Sequence, residues 1–583
     1  TADAEGRWRV ELPAMKAGGP HKLTVQGTNK IRLKDVLIGE VWLCSGQSNM
    51  AYPMRNMNEP WRETAGADPS IRLLIVERSH DVRPRADLGE MNGWNVADEE
   101  TLAPFSAACF LMARELKQSM DVPFGLITSA WGGSAIESWI STAGLEAHGG
   151  FDPQLELVEL YSRDPDRALM QFTGAWQDWW RNSAGGGAAP WQPSFDTGGW
   201  PLAPAQLGDW QQWGGDGMAD FTGMIWYRNS FELQPGDPLT GAALELGGID
   251  DTDVTWVNGQ PVGTMFGWGT PRRYELPDGS LQAGLNSVTV SVYNSWGSGG
   301  LYGPPEDIRL VLADGRHVSL SEGWRFSKVP SETGAPPLAP WESITGLTTL
   351  YNAMIAPLKG FGLAGAMWYQ GETNTGRAHQ YRGLLKQLAG DLRSTFRPDL
   401  PFIVVQLPNF GLLPTEPVDS GWARLRDSQQ KMTVEDPLTG LVVTLDSADR
   451  TDLHPPNKRI VGARAAAVAR SLLLASGELA DGIVPLDAWR SGDRVIIEFD
   501  HAGGPLRAVG AQSPAGFELC DSDGGCDYVD ATVDGNRIVL DAGGYSQASK
   551  VRYAWADAPL VNLFGAEGLP VGSFQLSISK RSD

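Results

Sequence analysis

The fold is decided by the stretch Val36-Leu37-Ile38-Gly39-Glu40-Val41-Trp42-Leu43-Cys44-Ser45-Gly46-Gln47-Ser48-Asn49-Met50. Its first half is an apolar run typical of a buried strand, and its second half is a small polar turn. A hydroxyl group placed where a strand ends and a helix begins is exposed, and its own backbone N–H lies close to the reacting oxygen. The pattern therefore predicts that Ser48 is a nucleophile; the alternative is a serine that only caps a helix.

Three further polar clusters also come directly after apolar segments typical of strands. These clusters are Ser129-Ala130-Trp131-Gly132-Gly133-Ser134, Trp368-Tyr369-Gln370-Gly371-Glu372-Thr373-Asn374 and Asp449-Arg450-Thr451-Asp452-Leu453-His454. In an open parallel sheet the C-terminal ends of the strands converge on one crevice. The sequence therefore predicts an α/β domain in which four loops meet at one site.

The order and spacing of the four clusters resemble the four sequence blocks of the SGNH hydrolases, which are named after Ser, Gly, Asn and His. The chain is more similar still to the sialate O-acetylesterase-like carbohydrate esterases. This resemblance rests on Cys44–Met50, Trp131–Trp139, Trp368–Asn374 and Asp452–Pro455, and it extends from about Gly6 to Arg470. It implies a three-layer, flavodoxin-like α/β hydrolase domain and an esterase with a serine nucleophile.

Ester cleavage requires a nucleophile, a base and hydrogen-bond donors for the tetrahedral oxyanion. By this resemblance Ser48 attacks the acetyl carbonyl, and His454 takes the serine proton and returns one to the leaving sugar hydroxyl. Of the seven histidines, His454 alone follows a strand and a turn with an acid two residues before it. The predicted oxyanion donors are the backbone N–H groups of Ser48 and of Gly132 or Gly133, with the side-chain amide of Asn374, for which the alternative is a helix cap.

Several acids compete for the role of orienting the histidine. Many SGNH enzymes carry this acid three residues before the histidine, and Thr451 occupies that position here. Asp452 lies two residues before it, as in the sialate-type relatives, and a tight turn would bring its carboxylate to the imidazole. Asp452 is therefore the predicted acid, and Asp449 and Asp446 are the alternatives.

Four residues are candidate contacts to the substrate: Gln370, Glu372, Trp210 and Trp213. Glu372, like Glu137, is equally consistent with a structural carboxylate that holds a loop. The two tryptophans lie in irregular Gly- and Pro-rich sequence, where an exposed aromatic face suits stacking on a pyranose ring. Trp226 and Trp256 lie in strand patterns instead and are predicted to be core residues.

Changes in sequence pattern divide the chain into domains. Residues 36–168 and 340–476 mix apolar strands with helices and are predicted to form one discontinuous hydrolase domain. Residues 169–339 contain many short strands, with a hairpin turn at Asn258-Gly259. They are predicted to form an inserted β-sandwich, which resembles the jelly-roll sugar-binding domains that accompany glycoside hydrolases. Residues 477–583 return to alternating strands, and residues 1–35 are expected to join them in an all-β accessory domain.

Composition restricts the class of partner and the location. The chain has 583 residues, 42% of them hydrophobic, and a formal net charge of −23. Such a charge argues against nucleic acid or an anionic membrane surface and favours a neutral ligand. No apolar run approaches the roughly 20 residues of a membrane span, so no membrane insertion is expected. The chain starts at Thr1 without an apolar leader, so any signal peptide has been removed or lies outside the given sequence; we expect a secreted or periplasmic protein.

The cysteines predict one disulfide at most. Cys44 and Cys109 lie in apolar patterns and are expected to be buried free thiols. Cys520 and Cys526 flank a hairpin-like tip and could close a small disulfide in an oxidising compartment. With four cysteines and no histidine cluster, neither a metal site nor a cofactor is expected.

Together these features predict a carbohydrate O-acetylesterase that acts on an acetylated oligosaccharide or polysaccharide. The large Trp-rich insertion resembles that of the xyloglucan acetylesterases of plant-biomass-degrading bacteria, which favours plant cell-wall xyloglucan. The first alternative is a sialate O-acetylesterase, in which Arg377 or Arg424 would bind the sugar carboxylate. The second is a non-catalytic carbohydrate-binding protein, against which the intact Ser48, Asn374 and His454 argue.

Overall fold

The computed structural model describes residues 6, 8, 10, 12–58, 68–89, 93–183, 186–215, 217–447, 449–474, 482–500 and 503–580. Contacts divide the chain into two units. The first unit holds residues 1–78, 85–136 and 354–583, and the second holds residues 79–84 and 137–353. The second unit begins before the predicted boundary at residue 169, because the helices between residues 142 and 182 contribute to its core.

A seven-stranded sheet forms the centre of the first unit, as the α/β prediction requires. Its strands, in spatial order, are Thr439–Val442, Phe402–Val405, Gly365–Tyr369, Glu40–Gly46, Phe124–Ala130, Asp68–Ile75 and Asn95–Ala97. Neighbouring strands are parallel except at the last pair. The central strand Glu40–Gly46 is buried from Trp42 onwards, which explains its continuous apolar run.

The register of the sheet brings the predicted loops to one edge. Gly46 pairs with Tyr369 on one side and with Ala130 on the other, so three strands end at the same level. The strands from residues 68–130 lie on one side of Glu40–Gly46, and the strands from residues 365–442 lie on the other. The strand order therefore reverses at this position, which is where open α/β sheets bind their ligands.

Helices cover this sheet. In the first unit they are Ser48–Ala51, Glu99–Leu102, Ala107–Lys117, Ala378–Thr395, Gly421–Glu435 and Lys458–Leu474, with 3-10 turns at Met54–Asn56, Ala356–Leu358 and Glu372–Arg377. A π-helical turn, Tyr351–Ile355, precedes the second of these 3-10 turns. Gly462 allows Lys458–Leu474 to approach Ala107–Lys117, since a Cβ there would lie 2.5 Å from the Cβ of Leu111. No helix within the described ranges is long and apolar enough to cross a membrane.

The cysteines form two disulfides, which corrects one prediction. Cys44 and Cys109, expected to be free thiols, are joined to each other with their Cα atoms 5.9 Å apart. Their bond links the central strand to the helix Ala107–Lys117. The second bond, Cys520–Cys526, is the one that the sequence suggested.

The C-terminal region is all-β, as predicted. Its eight-stranded sheet has the order Cys526–Tyr528, Phe517–Cys520, Lys550–Tyr553, Phe574–Lys580, Val484–Ser491, Arg494–Asp500, Arg537–Asp541 and Ala531–Asp534. A separate pair is formed by Arg507–Ala508 and Leu563–Phe564. The N-terminal strands Gly18–Gln26 and Lys30–Ile38 do not join this sheet, because they pair with each other as an antiparallel hairpin.

The second unit contains two antiparallel sheets with one shared apolar core. One sheet has the order Gln260–Phe266, Thr252–Val257, Gly284–Asn294, Gly223–Leu233 and Arg325–Lys328. The other has the order His317–Ser319, Ile308–Val311, Ala243–Asp250, Gly300–Tyr302 and Gly208–Asp209, with Pro271–Glu275 also paired to Ala243–Asp250. Asn258 and Gly259 both have positive φ, which confirms the predicted hairpin turn.

Short helical segments complete the second unit. They are Thr142–His148, Asp152–Tyr161 and Pro165–Asn182, with 3-10 turns at Ile136–Trp139, Trp210–Gln212, Pro305–Asp307 and Ser331–Thr333. Trp176 and Trp180 of the longest helix pack on Trp226 and Trp256 of the first sheet. Trp226 and Trp256 are thus core residues, as predicted.

Candidate active site

Ser48 lies at the first position of a short helix, directly after the central strand. The strand reaches this turn through Gly46, where a Cβ would lie 2.2 Å from the carbonyl oxygen of Tyr369. Only glycine therefore fits at that position beside the neighbouring strand. Ser48 is half-buried, and no described residue forms a hydrogen bond with its hydroxyl group.

The glycine loop lies against the nucleophile. A Cβ on Gly132 would be 3.3 Å from the Cβ of Ser48, so the missing side chain leaves room beside the hydroxyl group. Gly133 has a φ of 75° and accepts a 3.1 Å hydrogen bond from Thr373. Gly132 therefore lies beside Ser48, and the roles of the Gly132 and Gly133 N–H groups as oxyanion donors stay predictions.

The side chain of Asn374 is buried and fixed in orientation. Its Oδ1 accepts hydrogen bonds from the backbone N–H of Ile136 at 3.0 Å and from Nε2 of Gln370 at 2.8 Å. Because both of these groups are donors, the oxygen of the amide must face them. The role of its Nδ2 as an oxyanion donor stays a prediction.

Gln370 holds loops together, which corrects its prediction as a substrate contact. The residue is fully buried. Its Nε2 also donates to the carbonyl of Ser134 at 3.0 Å, and its Oε1 accepts from the hydroxyl of Tyr381 at 2.8 Å. Both ends of the amide are therefore bonded within the protein, and none of it is exposed to a ligand.

His454 and Asp452 lie in one tight turn. The carboxylate of Asp452 accepts the backbone N–H of His454 at 2.8 Å. The Nε2 of His454 is buried without a hydrogen-bond partner among the described residues, and the ring stacks on Tyr52 with 6.5 Å between centroids. A buried ring nitrogen without a partner in the protein is available to a substrate or a nucleophile.

The environment of His454 favours its neutral form. Burial lowers the pKa of this imidazole, and the nearby charge of Lys458 lowers it further. The negative charge of Asp452 acts in the opposite direction. The net effect is a lowered pKa. The ring therefore stays neutral, and able to act as a base, down to a lower pH than an ordinary histidine.

The alternative acids have other partners. Asp449 is exposed, and its carboxylate accepts hydrogen bonds from the backbone N–H and hydroxyl of Thr451 at 2.9 and 2.7 Å. Asp446 forms a two-point ion pair with Arg464. Of these three acids, Asp452 is the one whose carboxylate accepts a hydrogen bond from the backbone N–H of His454, and its role as the orienting acid stays a prediction.

A buried polar network that the sequence did not predict joins the serine turn to the histidine loop. Asn49 donates to the carbonyl of Leu453 at 3.1 Å and to Glu372 at 2.7 Å, and it accepts from Lys458 at 2.5 Å. The Oε1 of Glu372 accepts the bond from Asn49, while its Oε2 is buried without a hydrogen-bond partner among the described residues, so the choice between substrate contact and structural carboxylate stays a prediction. Asn49 stands in the quoted motif, but its partners lie more than 300 residues away and left no local signal.

Of the two tryptophans predicted to contact a glycan, Trp210 is a core residue. It is 0% exposed, and its indole N–H donates to the carbonyl of Phe221. Trp213 is half-buried, packs edge-on against Tyr227 and Phe326, and donates to the carbonyl of Leu207. The prediction for Trp210 is therefore wrong, because the sandwich core uses its whole surface.

One cluster of potential metal ligands lies in the described part of the chain. It consists of Glu518 with Cys520 and Cys526. Both sulfurs are joined in a disulfide, which removes the thiolates that a metal would need.

Comparison with known proteins points to carbohydrate esterases. Residues 322–470 match the family described as carbohydrate esterase, sialic acid-specific acetylesterase. The sialate O-acetylesterase of Homo sapiens is 37% identical over 155 residues, which are 24% of this chain and 30% of the human protein. That of Rattus norvegicus is 36% identical over 156 residues, which are 24% of this chain and 29% of the rat protein.

A solved structure covers far more of the chain. The carbohydrate acetylesterase from Xanthomonas citri is 25% identical, with a TM-score of 0.60 over 98% of this chain and 89% of its own. The matched family segment includes Asn374, Asp452 and His454 but not Ser48.

Proposed function

We propose that this chain, which contains a sialate O-acetylesterase-like carbohydrate esterase domain, removes O-acetyl groups from a glycan through an acyl-enzyme on Ser48. One observation supports this most: the unpartnered Nε2 of His454 belongs to a loop that Asn49 bonds to the turn carrying Ser48. A binding protein without catalysis would have no use for a buried base without a partner in a loop that is bonded to the serine turn. We assign the α/β unit to the SGNH fold and the inserted sandwich to the jelly-roll type.

In the first half of the reaction, the Oγ of Ser48 attacks the acetyl carbonyl carbon while Nε2 of His454 takes its proton. The oxyanion of the tetrahedral intermediate accepts hydrogen bonds from Ser48 N–H, from Gly132 or Gly133 N–H and from Nδ2 of Asn374. The intermediate then expels the sugar oxygen, which receives the proton from His454. Acetyl-Ser48 and the deacetylated glycan result.

In the second half, His454 takes a proton from water, and the hydroxide oxygen attacks the acetyl carbonyl of Ser48. The second tetrahedral intermediate uses the same donors and expels Ser48, which regains its proton from His454. Acetate leaves. Asp452 stabilises the imidazolium in both halves by its charge and by holding the main chain of the histidine.

For the substrate we propose acetylated xyloglucan or its oligosaccharides. The net charge of −23 disfavours an anionic glycan, and two tryptophans of the second unit, Trp268 and Trp296, are 73% and 75% exposed. Exposed indole rings suit the C–H faces of neutral pyranoses. The two disulfides favour an oxidising compartment, so we also propose that the protein is secreted or periplasmic.

A sialate O-acetylesterase is the second candidate, because the family match and the mammalian relatives carry that activity in their names. Such a substrate has a carboxylate that needs a cation. Arg424 is already paired with Asp419. Arg377 ends the 3-10 turn that contains Asn374, which makes it the nearer of the two in sequence to the proposed oxyanion site.

Acetate release measured side by side on acetylated xyloglucan oligosaccharides, acetylated xylan and 9-O-acetyl sialic acid tests the proposal. We expect the highest kcat/KM on the xyloglucan oligosaccharides and no release by Ser48→Ala. Preference for the sialic acid would select the second candidate. Binding of a glycan without acetate release from any substrate would select a binding protein.

A further inference from the structure

Lys458 is a fully buried cation next to the candidate active site to which the proposed reaction assigns no role. It is 0% exposed and begins the helix that follows the histidine loop. Its Nζ lies 2.5 Å from Oδ1 of Asn49, 4.9 Å from the ring centre of Tyr52 and 5.3 Å from that of Tyr369. A buried ammonium group is costly unless it has a function or strong partners.

The donor and acceptor pattern makes this lysine the group that orients Asn49. An ammonium group can only donate, so the oxygen of the Asn49 amide must face Lys458. The NH₂ group then faces Leu453 and Glu372, which both offer acceptors. With the lysine absent, the buried Oδ1 of Asn49 has lost its donor, which weakens the contact that holds the loop carrying His454.

We propose that Lys458 is a positioning residue of the esterase: it acts through Asn49 to hold the histidine loop on the Ser48 turn, and its ammonium group lies over the Tyr52 ring that stacks on His454. This inference rests on the proposed function. It adds a role for a residue that touches neither the substrate nor the reacting atoms.

The charge acts in the pH range where the base titrates. Burial lowers the pKa of Lys458 to about 7, against the raising effects of Glu372 and Asp452, so the lysine is protonated below that pH. The groups that face it are Glu372, Asp452, His454 and the rings of Tyr52 and Tyr369. Removing the positive charge should raise the pKa of His454, since Lys458 lowers it. As pH falls, activity would then be lost at a higher pH than in the wild-type protein.

Two substitutions separate the hydrogen bond from the charge. Lys458→Met removes both, whereas Lys458→Gln keeps an N–H donor for Asn49 without a charge. Lys117→Met is the matched control. Lys117 ends a helix of the same unit, and it pairs with Asp68 and not with a residue of the histidine loop. Asn49→Ala alone and combined with Lys458→Met completes a double-mutant cycle.

The readouts are kcat and KM on p-nitrophenyl acetate across pH, together with the rate at which a phosphonate ester labels Ser48. We expect Lys458→Met to lower kcat and labelling about 10²-fold, the scale for slight misplacement of reacting groups. KM should stay unchanged within about threefold, as expected for loss of an interaction made in the transition state. Lys458→Gln should recover most of kcat, and both variants should shift the acid limb to higher pH.

The acid limb of Lys458→Gln decides the matter even if Lys458→Met is unstable, and the double-mutant cycle adds a second test when Lys458→Met is folded. In the cycle, the double variant should be no worse than the poorer single variant, because both act on one contact. The inference is overturned if folded Lys458→Gln has the wild-type acid limb, or if it loses as much kcat as a folded Lys458→Met. It is also overturned if the two single losses multiply in the double variant. Failure of wild-type protein to be labelled at Ser48 would instead reject the proposed function.

Discussion

The side-chain amide of Asn49 donates a 3.1 Å hydrogen bond to the main-chain carbonyl of Leu453. This bond joins the residue after the proposed nucleophile to the residue before the proposed base, across 404 positions of sequence. The strands bring the two loops to one edge of the sheet, and this contact sets how they meet. Catalysis by two groups on separate loops depends on such fixed contacts, since small displacements are costly.

The acid of the histidine loop can be identified by an exchange that keeps the shape of the side chain and removes its charge. Asp452→Asn keeps an oxygen for the backbone N–H of His454 but removes the charge that stabilises the imidazolium. We expect kcat/KM to fall about 10²- to 10⁴-fold. Asp449→Asn is the control and should change it less than about threefold, as for other exposed substitutions. A larger loss in the control than in Asp452→Asn would make Asp449 the acid.

The oxyanion role of Asn374 is tested by Asn374→Asp. The new side chain keeps an oxygen for Ile136 and Gln370 but lacks the NH₂ donor. We expect kcat to fall about 10²- to 10³-fold, the usual effect of losing one donor. Thermal unfolding checks that the buried carboxyl group is tolerated. Full kcat in a folded variant would remove Asn374 from the oxyanion site.

The pH profile of kcat/KM follows from the burial of His454. Its folded-state pKa is lowered, first by burial and then by Lys458. The base must be neutral, so activity should rise with pH through a pKa below the ordinary value of about 6.5. An acid limb centred above pH 7 in the wild-type protein would contradict this environment.

Tryptophan substitutions separate glycan contacts from core packing in the second unit. The double variant Trp268→Ala, Trp296→Ala should have a lower kcat/KM on xyloglucan oligosaccharides. Its kcat/KM on p-nitrophenyl acetate and its melting temperature should be nearly unchanged. Trp210→Ala should instead destabilise the protein by about 3–5 kcal/mol, the cost of emptying a large buried site. If the exposed pair changes neither substrate, these rings are not glycan contacts.

Local patterns predicted the elements that depend on local physics. Examples are the run into Ser48, the turn at Asn258-Gly259 and the all-β C-terminal region. In each, the periodicity or the turn residues can be read from a few neighbouring positions of the sequence. The convergence of the serine, glycine and Asn374 loops followed from one general property of parallel sheets.

The features that the sequence did not reveal depend on long-range contacts. Cys44 and Cys109 are 65 residues apart, and each looks like an apolar core position until the helix is placed on the strand. Trp210 lies in irregular sequence that suggests exposure, yet its ring fills the space between two sheets. Lys458 carries a charge, and charged side chains are rarely buried, so nothing nearby marked it as a core residue.

The central claim, a covalent acyl-enzyme on Ser48 formed with His454 as base, is tested most directly by mass spectrometry. The protein would be mixed with p-nitrophenyl acetate, quenched in acid within milliseconds and digested. We predict a mass increase of one acetyl group on the peptide that contains Ser48. The adduct should be absent in Ser48→Ala and strongly reduced in His454→Ala, with both variants folded. Acetate release at the wild-type rate by folded Ser48→Ala, or an acetyl group on another residue that turns over, would contradict the account.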